Sequence, residues 1–395
     1  MGDLDRRLRR ALRDDLPEPS EEARARAEDV ALDALPTPAR ARHRPWLVAA
    51  AATAVLVAAG VVGLATTDRL DVRIGREAPP PAASAPAPAL SPGAGRIGLP
   101  AGAGGIAVVA GGRLWLRTRA GLGIEGLAVS TAELSPRATF VAAGIGDALV
   151  AMNPGGEAAW SHAAGGPVEA IAWAPNPIVI AYVVRRGPDR HALHLIEGDG
   201  DNDVVVDDDV SPVRPSWRAD TGALAYVRRD GTVRIVTQPL GGPATDLSPA
   251  GGRVRQVAFA PSGDDLVLAG EDWIAIAAGG RPGPSLSQDG VDGAAWSGGA
   301  VLVAAGRGAR GALSSYAAAT VGKPFGVSEG PRIGSLAPIG DGARLVAAVD
   351  AGSAARSELW EVAAPARGAP APLTPRRVLL SLPAAAGPVT ALSVR

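Results

Sequence analysis

Over the last three quarters of the chain, apolar residues come in short runs broken by glycine, proline, aspartate and asparagine. Runs of this length between turn residues predict strands rather than helices. One phrase recurs about every 40 residues, the spacing of a repeat built from one small sheet per copy. Its fullest form is Ile171-Ala-Trp-Ala-Pro-Asn-Pro-Ile-Val-Ile-Ala-Tyr-Val-Val184. Variants read Pro215-Ser-Trp-Arg-Ala-Asp-Thr-Gly-Ala-Leu-Ala-Tyr-Val227, Val257-Ala-Phe-Ala-Pro-Ser-Gly-Asp-Asp-Leu-Val-Leu268 and Ala294-Ala-Trp-Ser-Gly-Gly-Ala-Val-Leu-Val303, with fainter copies at Leu134-Ser-Pro136 and Leu336-Ala-Pro338.

Laid out strand by strand, the repeat predicts four sets of seven. First strands, each ending in an aromatic or apolar anchor, fall near Val129–Leu134, Val168–Trp173, Val213–Trp217, Val254–Phe259, Val291–Trp296, Arg332–Leu336 and Val389–Val394. Second strands fall near Ile106–Ala110, Ala138–Ala143, Ile178–Val184, Ala223–Arg228, Asp265–Ala269, Ala300–Ala305 and Ala343–Val349. Third strands centre on Trp115, Val150, His194, Arg234, Ile274, Ser314 and Trp360, and fourth strands on Ile124, Trp160, Val205, Asp246, Leu286, Val327 and Leu379. The last first strand has no second strand after it, and the earliest second strand has none before it. Pairing the two closes a ring, so the fold class expected over residues 101–395 is an all-β, seven-bladed β-propeller, with six blades as the alternative.

Upstream the pattern changes. Leu4, Leu8, Ala11 and Leu12 have helical spacing, Pro17 and Pro19 break it, and Ser20 is placed to cap a second helix running to about Leu35. In this tail, residues 1–45, ten arginines face ten acidic residues, so it is no basic arm; it reads as a solvated tail or as a docking site for a cytoplasmic protein. Residues 46–66 are 21 in a row without a charge, enough to cross a bilayer as a helix. Trp46 would sit at headgroup level, and Arg40, Arg42 and Arg44 just before the run favour a cytoplasmic N-terminus. Arg69, Arg73 and Arg76 oppose that bias. A cleaved signal peptide is the competing reading, given Gly63-Leu-Ala65, but the long preceding tail and long apolar run favour an uncleaved, single-pass signal anchor at the cell membrane. Residues 67–100 form a Pro/Ala-rich linker of extended character, which places the propeller outside the cytoplasm.

Composition narrows function more than it names it. The chain is 47% hydrophobic with a formal charge of -1, which argues against nucleic acid as a partner. Lys323 is the single lysine, a bias expected of a GC-rich bacterial genome. Cysteine is absent, which excludes disulfides, thiolate metal sites and a lipidated cysteine. Histidine is scarce and no Gly-x-Ser-x-Gly elbow occurs, so a hydrolytic triad has no visible basis, and the chain ends with the closing strand rather than a catalytic domain.

The phrase of apolar pair, Trp or Phe, small residue, Pro or Asp, Gly and a Leu-Ala-Tyr strand resembles the WD-repeat-like repeat of TolB-type propellers. Leu193-His-Leu-Ile-Glu-Gly-Asp-Gly-Asp-Asn202 is similar to that repeat's third strand and Asp-Gly turn. The resemblance covers roughly residues 100–395 and implies fold rather than activity. Ser297-Gly-Gly in the fifth repeat and Pro338-Ile-Gly in the sixth depart from the pattern.

Candidate chemistry lies in three places. Asp199, Asp201, Asp203 and Asp207 have the spacing of a calcium loop, yet Val204 stands where the sharp turn wants glycine, and the same residues read as a hairpin between third and fourth strands. Trp173, Trp217 and Trp296 share one repeat position, as expected of packing between blades. Four residues before each anchor, at Ser130, Glu169, Val213, Arg255, Asp292, Arg332 and Thr390, the first strands would line the mouth of the central channel. Glu169, Arg255, Asp292 and Arg332 make that ring polar and of mixed sign: a hydrated mouth, or a pocket for a polar ligand or a partner's loop. The function expected is a non-enzymatic binding or scaffolding module at the bacterial cell envelope that needs no cofactor. A transmembrane regulator of anti-sigma type, sensing with the propeller and signalling through the tail, is the alternative.

Overall fold

The phrase Ala223-Leu-Ala-Tyr-Val227 is apolar at every position, although a strand in an open sheet should alternate. Both its faces are buried, because each sheet is stacked between two others. In the computed structural model of the chain, residues 97–176, 179–239, 241–317, 322–339, 343–350, 357–366, 371–382 and 386–395 are described. They form seven sheets, each built on four antiparallel strands here lettered a to d from the axis outward, one of them with a short fifth strand.

Blade 1 holds Ala132–Leu134, Val141–Ile145, Ala148–Met152 and Ala158–Ala163, and blade 2 holds Val168–Trp173, Val179–Gly187, Arg190–Glu197 and Val204–Val210. Blade 3 holds Ser216–Trp217, Ala223–Val227, Val233–Thr237 and Ala244–Leu247, and blade 4 holds Gln256–Phe259, Leu266–Ala269, Trp273–Ala277 and Ser285–Ser287. Blade 5 holds Val291–Ser297, Ala300–Arg307, Arg310–Ala317 and Gly326–Pro331, and blade 6 holds Ile333–Ile339, Arg344–Asp350, Ser357–Ala363 and Arg377–Ser381. Blade 7 joins Val389–Val394, as strand a, to Gly105–Ala110, Arg113–Thr118 and Gly123–Ala128. Seven blades, not six, make the ring.

Closure is antiparallel, with Ile106 opposite Val394, Ala107 opposite Ser393 and Val108 opposite Leu392. Each inner strand touches the next around the ring, including Val389–Val394 against Ala132–Leu134. The core is divided accordingly into seven apolar clusters, each between two consecutive blades. Val108 and Ala110 face blade 6, while Ala107 and Val109 of the same strand face blade 1. Gly111 and Gly112 both have positive φ, 52° and 71°, as a tight two-residue hairpin requires, and Gly111 lies against the carbonyl of Ala386 where a Cβ has no room.

The anchor tryptophans do more than fill space. The indole N–H of Trp173 donates to the carbonyl of Glu133 (3.2 Å), that of Trp217 to Ala172 (2.9 Å) and that of Trp296 to Ala258 (2.9 Å). Each ties the end of one inner strand to the end of the preceding one. Replacing Trp173 with Phe, which keeps most of the ring but removes the donor, is expected to lower stability by about 1–3 kcal/mol in urea denaturation.

Three local features depart from the repeat. Strand a of blade 3 begins at Ser216 rather than Val213 because Pro212 and Pro215 have no N–H for the ladder. In blade 1, Ala138 belongs to a turn, with φ 54° and its N–H on the carbonyl of Ser135 (2.8 Å), so strand b starts only at Val141. Ala371–Pro372, given no strand by the sequence pattern, lies parallel to the outer strand of blade 5, and Leu373 N–H donates to Glu329 (2.6 Å). The connection from blade 6 thus covers part of an exposed edge. The expected tail, residues 1–45, the expected membrane helix, 46–66, and the linker up to residue 96 lie outside the described residues. Among the described residues no helix is long and apolar enough to cross a membrane.

Candidate functional site: the two mouths of the channel

Strand a of every blade faces the axis, and the cavity there, about 310 Å³, is lined from all seven. Its upper mouth is where the inner strands begin and its lower mouth where they end. Of the seven positions expected at the upper mouth, Glu169, Val213, Arg255, Asp292 and Thr390 line the cavity. Ser130 is used between blades instead, its hydroxyl donating to the carbonyl of Val168 (2.5 Å). Thr390 likewise donates to Val109 (3.3 Å).

The four charged residues do not form one continuous ring. They are closed into two separate pairs and one group of three. Arg332 binds Asp292 with Nε on Oδ2 (2.9 Å) and Nη2 on Oδ1, a fork that links blades 5 and 6 and holds Asp292 with only 10% of its side chain exposed. That hydrogen bonding to Asp292 raises the pKa of Arg332 still further. Arg255 reaches up to Glu271 on the b–c turn of its own blade (2.6 Å), and both are more than half exposed, so this pair contributes little to stability. Glu169 is shared between His191 (2.9 Å) and Arg185 (3.3 Å) from the b–c hairpin of blade 2. Arg185, His191 and Glu271 were invisible to a reading of inner strands alone, because they sit on hairpins that fold back over the mouth.

Beside the upper mouth lies a larger groove of about 860 Å³ between blades 2 and 3. It meets the channel at Glu169 and Pro212, which line both. Its walls come from the b–c turns, with Asp189, His191, Arg229 and Asp230, and from the loop carrying Ser248, Pro249 and Arg253. Both signs of charge face one open trough next to a clamped carboxylate. Such a surface suits an extended polar segment with its own charges better than an apolar ligand.

The acidic stretch is a hairpin. Asp199 caps the turn by accepting from the Asp201 N–H (3.2 Å), while Glu197 and Gly200 close it through the main chain. Asp203 and Asp207 are committed elsewhere. Asp203 accepts from Tyr182 Oη (2.6 Å), contacts His194 Nδ1 (3.0 Å) and lies 3.4 Å from His162 of blade 1. Asp207 accepts from Tyr226 of blade 3 (3.1 Å) and lies 3.3 Å from Arg228 Nε. The four carboxylates are therefore not gathered as calcium ligands, and among the described residues no group of three or more His, Asp or Glu is placed to hold a metal. The physical reason is a slip in the ladder: His194 faces Val205 but Leu193 faces Asp207, so strand d carries one extra residue between Asp203 and Asp207 and turns the two acids toward different neighbours, Tyr182 and Tyr226.

Burial opposes the charge on Asp203, but hydrogen bonds from His194 and Tyr182 and the nearby imidazoles outweigh it and hold the carboxyl below its usual range. Burial first, then Asp203, raises the Tyr182 hydroxyl far above its ordinary value. A lowered carboxyl stabilises the fold above its unfolded pKa, and that contribution is lost as pH falls through the folded value. Thermal unfolding of Asp203→Asn should thus be less stable than wild type at neutral pH, with the gap closing below about pH 4.

The lower mouth was not foreseen. Glu133, the one charge within the short inner strand of blade 1, is buried, with 3% of its side chain exposed. Arg214 of blade 3 donates to both its oxygens, from Nη2 to Oε1 (2.5 Å) and Nε to Oε2 (3.2 Å), and Nε also reaches the carbonyl of Ile171 (3.0 Å). Arg395, just beyond the closing strand, donates Nη2 to Glu133 Oε1 (2.6 Å). One carboxylate thus joins blades 1 and 3 to the end of the closing strand. The signal available in sequence was a lone acid in an otherwise apolar strand.

The crystal structure of the C-terminal WD40 domain of Sif2 is similar over 68% of this chain and 80% of that one, with a TM-score of 0.51 and 14% identity. The fold is a WD40-like propeller. A chain in the crystal structure of a mitotic checkpoint complex aligns over 62% of this chain and 84% of that one, with a TM-score of 0.49 and 17% identity. No protein-family model and no curated protein matches the sequence.

Proposed function

We propose that the protein is a non-enzymatic binding module, anchored in the membrane by residues 46–66 and presenting a propeller with a TolB-type repeat outside the cytoplasm at the cell envelope. The observation that carries the binding reading is the continuity of groove and channel at Glu169 and Pro212, which offers one polar trough to a partner's loop or an extended segment. Among the described residues all three histidines sit on carboxylates, His191 on Glu169 and both His162 and His194 on Asp203. The uncharged run and the arginines before it support the anchor.

The cysteine-free sequence makes topology easy to test. In intact cells, a membrane-impermeant maleimide should label Leu122→Cys on blade 7 and leave Ser20→Cys in the tail unlabelled; the reverse pattern would overturn the placement. For binding, a photoreactive phenylalanine at Val213 should capture an envelope protein, and capture should fall several-fold when Arg255→Gln and Arg332→Gln are combined. The same group at Val378, exposed on the outside of blade 6, should capture nothing. Equal capture at both positions, or capture indifferent to the arginines, would remove the upper mouth as the binding surface. If a tail fragment of residues 1–45 instead recovers a cytoplasmic sigma-type factor, the regulator reading replaces this one.

A further inference from the structure

We propose that the lower mouth is a second binding site, which takes an acidic segment of a protein partner by one carboxylate. The inference rests on the convergence of two guanidinium groups on Glu133 inside a hollow that opens to solvent.

That hollow holds about 490 Å³, and a smaller one of about 220 Å³ adjoins it; the two share Arg214, Trp217, Gln256, Ala258 and Arg395. No acidic residue lines the larger, and Glu133 is the one acid lining the smaller. Two guanidinium groups meet one side-chain carboxylate at the bottom of a concave surface. Arg214 is 56% exposed although its partner is buried. Its Nε and Nη2 face inward, and its Nη1 has no partner among the described residues. Arg395 is arranged the same way, with Nε on the carbonyl of Leu134 (3.4 Å) and Nη2 on Glu133. Its main-chain oxygen is occupied by the amides of Gly104 and Gly105. Glu133 therefore acts as a template: it fixes both planar forks before any ligand arrives, so less side-chain freedom is lost on binding.

The remaining wall decides between a peptide and a free anion. Phe259, Trp296, Leu336 and Pro338 line the same hollow as the arginines. A phosphate ion would use only the cationic end. An acidic side chain with an apolar neighbour along an extended chain would use both, in the pattern of arginine and aromatic anchors that dominates protein interfaces.

The test is selection of random hexapeptides displayed on phage against the full chain in detergent. The expected result is several-fold enrichment of Asp or Glu beside an apolar residue. A selected peptide should bind at least tenfold more weakly to Glu133→Gln combined with Arg214→Gln, which removes a cation without stranding a buried acid, and binding should weaken with added salt. Charge loss outside the lower-mouth hollows, Arg307→Gln on the b–c hairpin of blade 5, should change nothing. Should the double variant fail to fold, Arg214→Lys keeps the charge, loses the fork and should still weaken binding. Absence of acidic enrichment, or enrichment indifferent to these lower-mouth variants, overturns the proposal. So does inorganic phosphate displacing the peptide at equal affinity, which would mark a simple anion pocket.

Discussion

Deleting Val389–Arg395 is expected to abolish cooperative folding, seen as loss of the near-ultraviolet circular dichroism signal and of a sharp urea transition. Strand b of blade 7 would lose its entire inner partner, exposing the edge of Gly105–Ala110 and the cluster in which Ile106 and Val108 meet Val389, Leu392 and Val394. Val389, Leu392 and Val394 are half-buried, so each contributes roughly half of the ~1.5–3 kcal/mol that full burial gives, and the uncovered faces of Ile106 and Val108 add to the loss. Arg395 leaves Glu133 at the same time, and the backbone ladder is lost along the strand. The sum approaches the roughly 5–15 kcal/mol that holds a whole domain. A deletion protein that unfolded at the wild-type urea concentration would show that the ring does not depend on this strand.

The second large effect is an asymmetry within the lower-mouth triad. Replacing Arg214 and Arg395 together with Gln strands a carboxylate that is 3% exposed, and the expected loss is about 3–5 kcal/mol. Replacing Glu133 with Gln leaves two arginines whose side chains are 56% and 31% exposed and which are able to turn toward water. That change should lower stability by only about 1–2 kcal/mol, the ordinary value of a lost hydrogen-bonded contact. Urea midpoints of the two variants decide the matter. Equal losses would mean that burial of Glu133 does not govern the triad.

These expectations bear on how much the sequence reveals. Ring order was legible because strand b of each blade, as in Ala223–Val227 or Leu266–Ala269, is apolar on both faces, and the anchors at Trp173, Trp217, Phe259 and Trp296 mark where each inner strand ends. Strand ends were less legible wherever a proline or a turn intervened, as at Pro215 and Ala138. The upper mouth was half legible. Counting from the anchors located Glu169, Arg255 and Asp292 on the channel, but their partners Arg185, His191 and Glu271 lie on hairpins whose approach to the axis depends on tertiary structure. Asp292 with Arg332 was found as two ring members and proved to be one pair, since positions 40 residues apart sit on adjacent blades. Glu133 was hidden because an isolated acid in a short strand carries no spacing signal; its meaning appears only when Arg214 and Arg395 arrive from other parts of the ring.

Both mouths exist only if the two ends of the propeller share one sheet. Ala107 and Ser393 face each other across the closing pair, both are small and buried, and the native chain has no cysteine to interfere. Opposed strand residues lie within the usual span of a disulfide. In the full chain carrying Ala107→Cys and Ser393→Cys, mild oxidation should give a monomeric species of faster electrophoretic migration and a raised melting temperature, reversed by reductant. Ala107→Cys with Leu122→Cys should give no such species. Intermolecular dimers alone, or free thiols that persist in the folded protein, would contradict the closed ring.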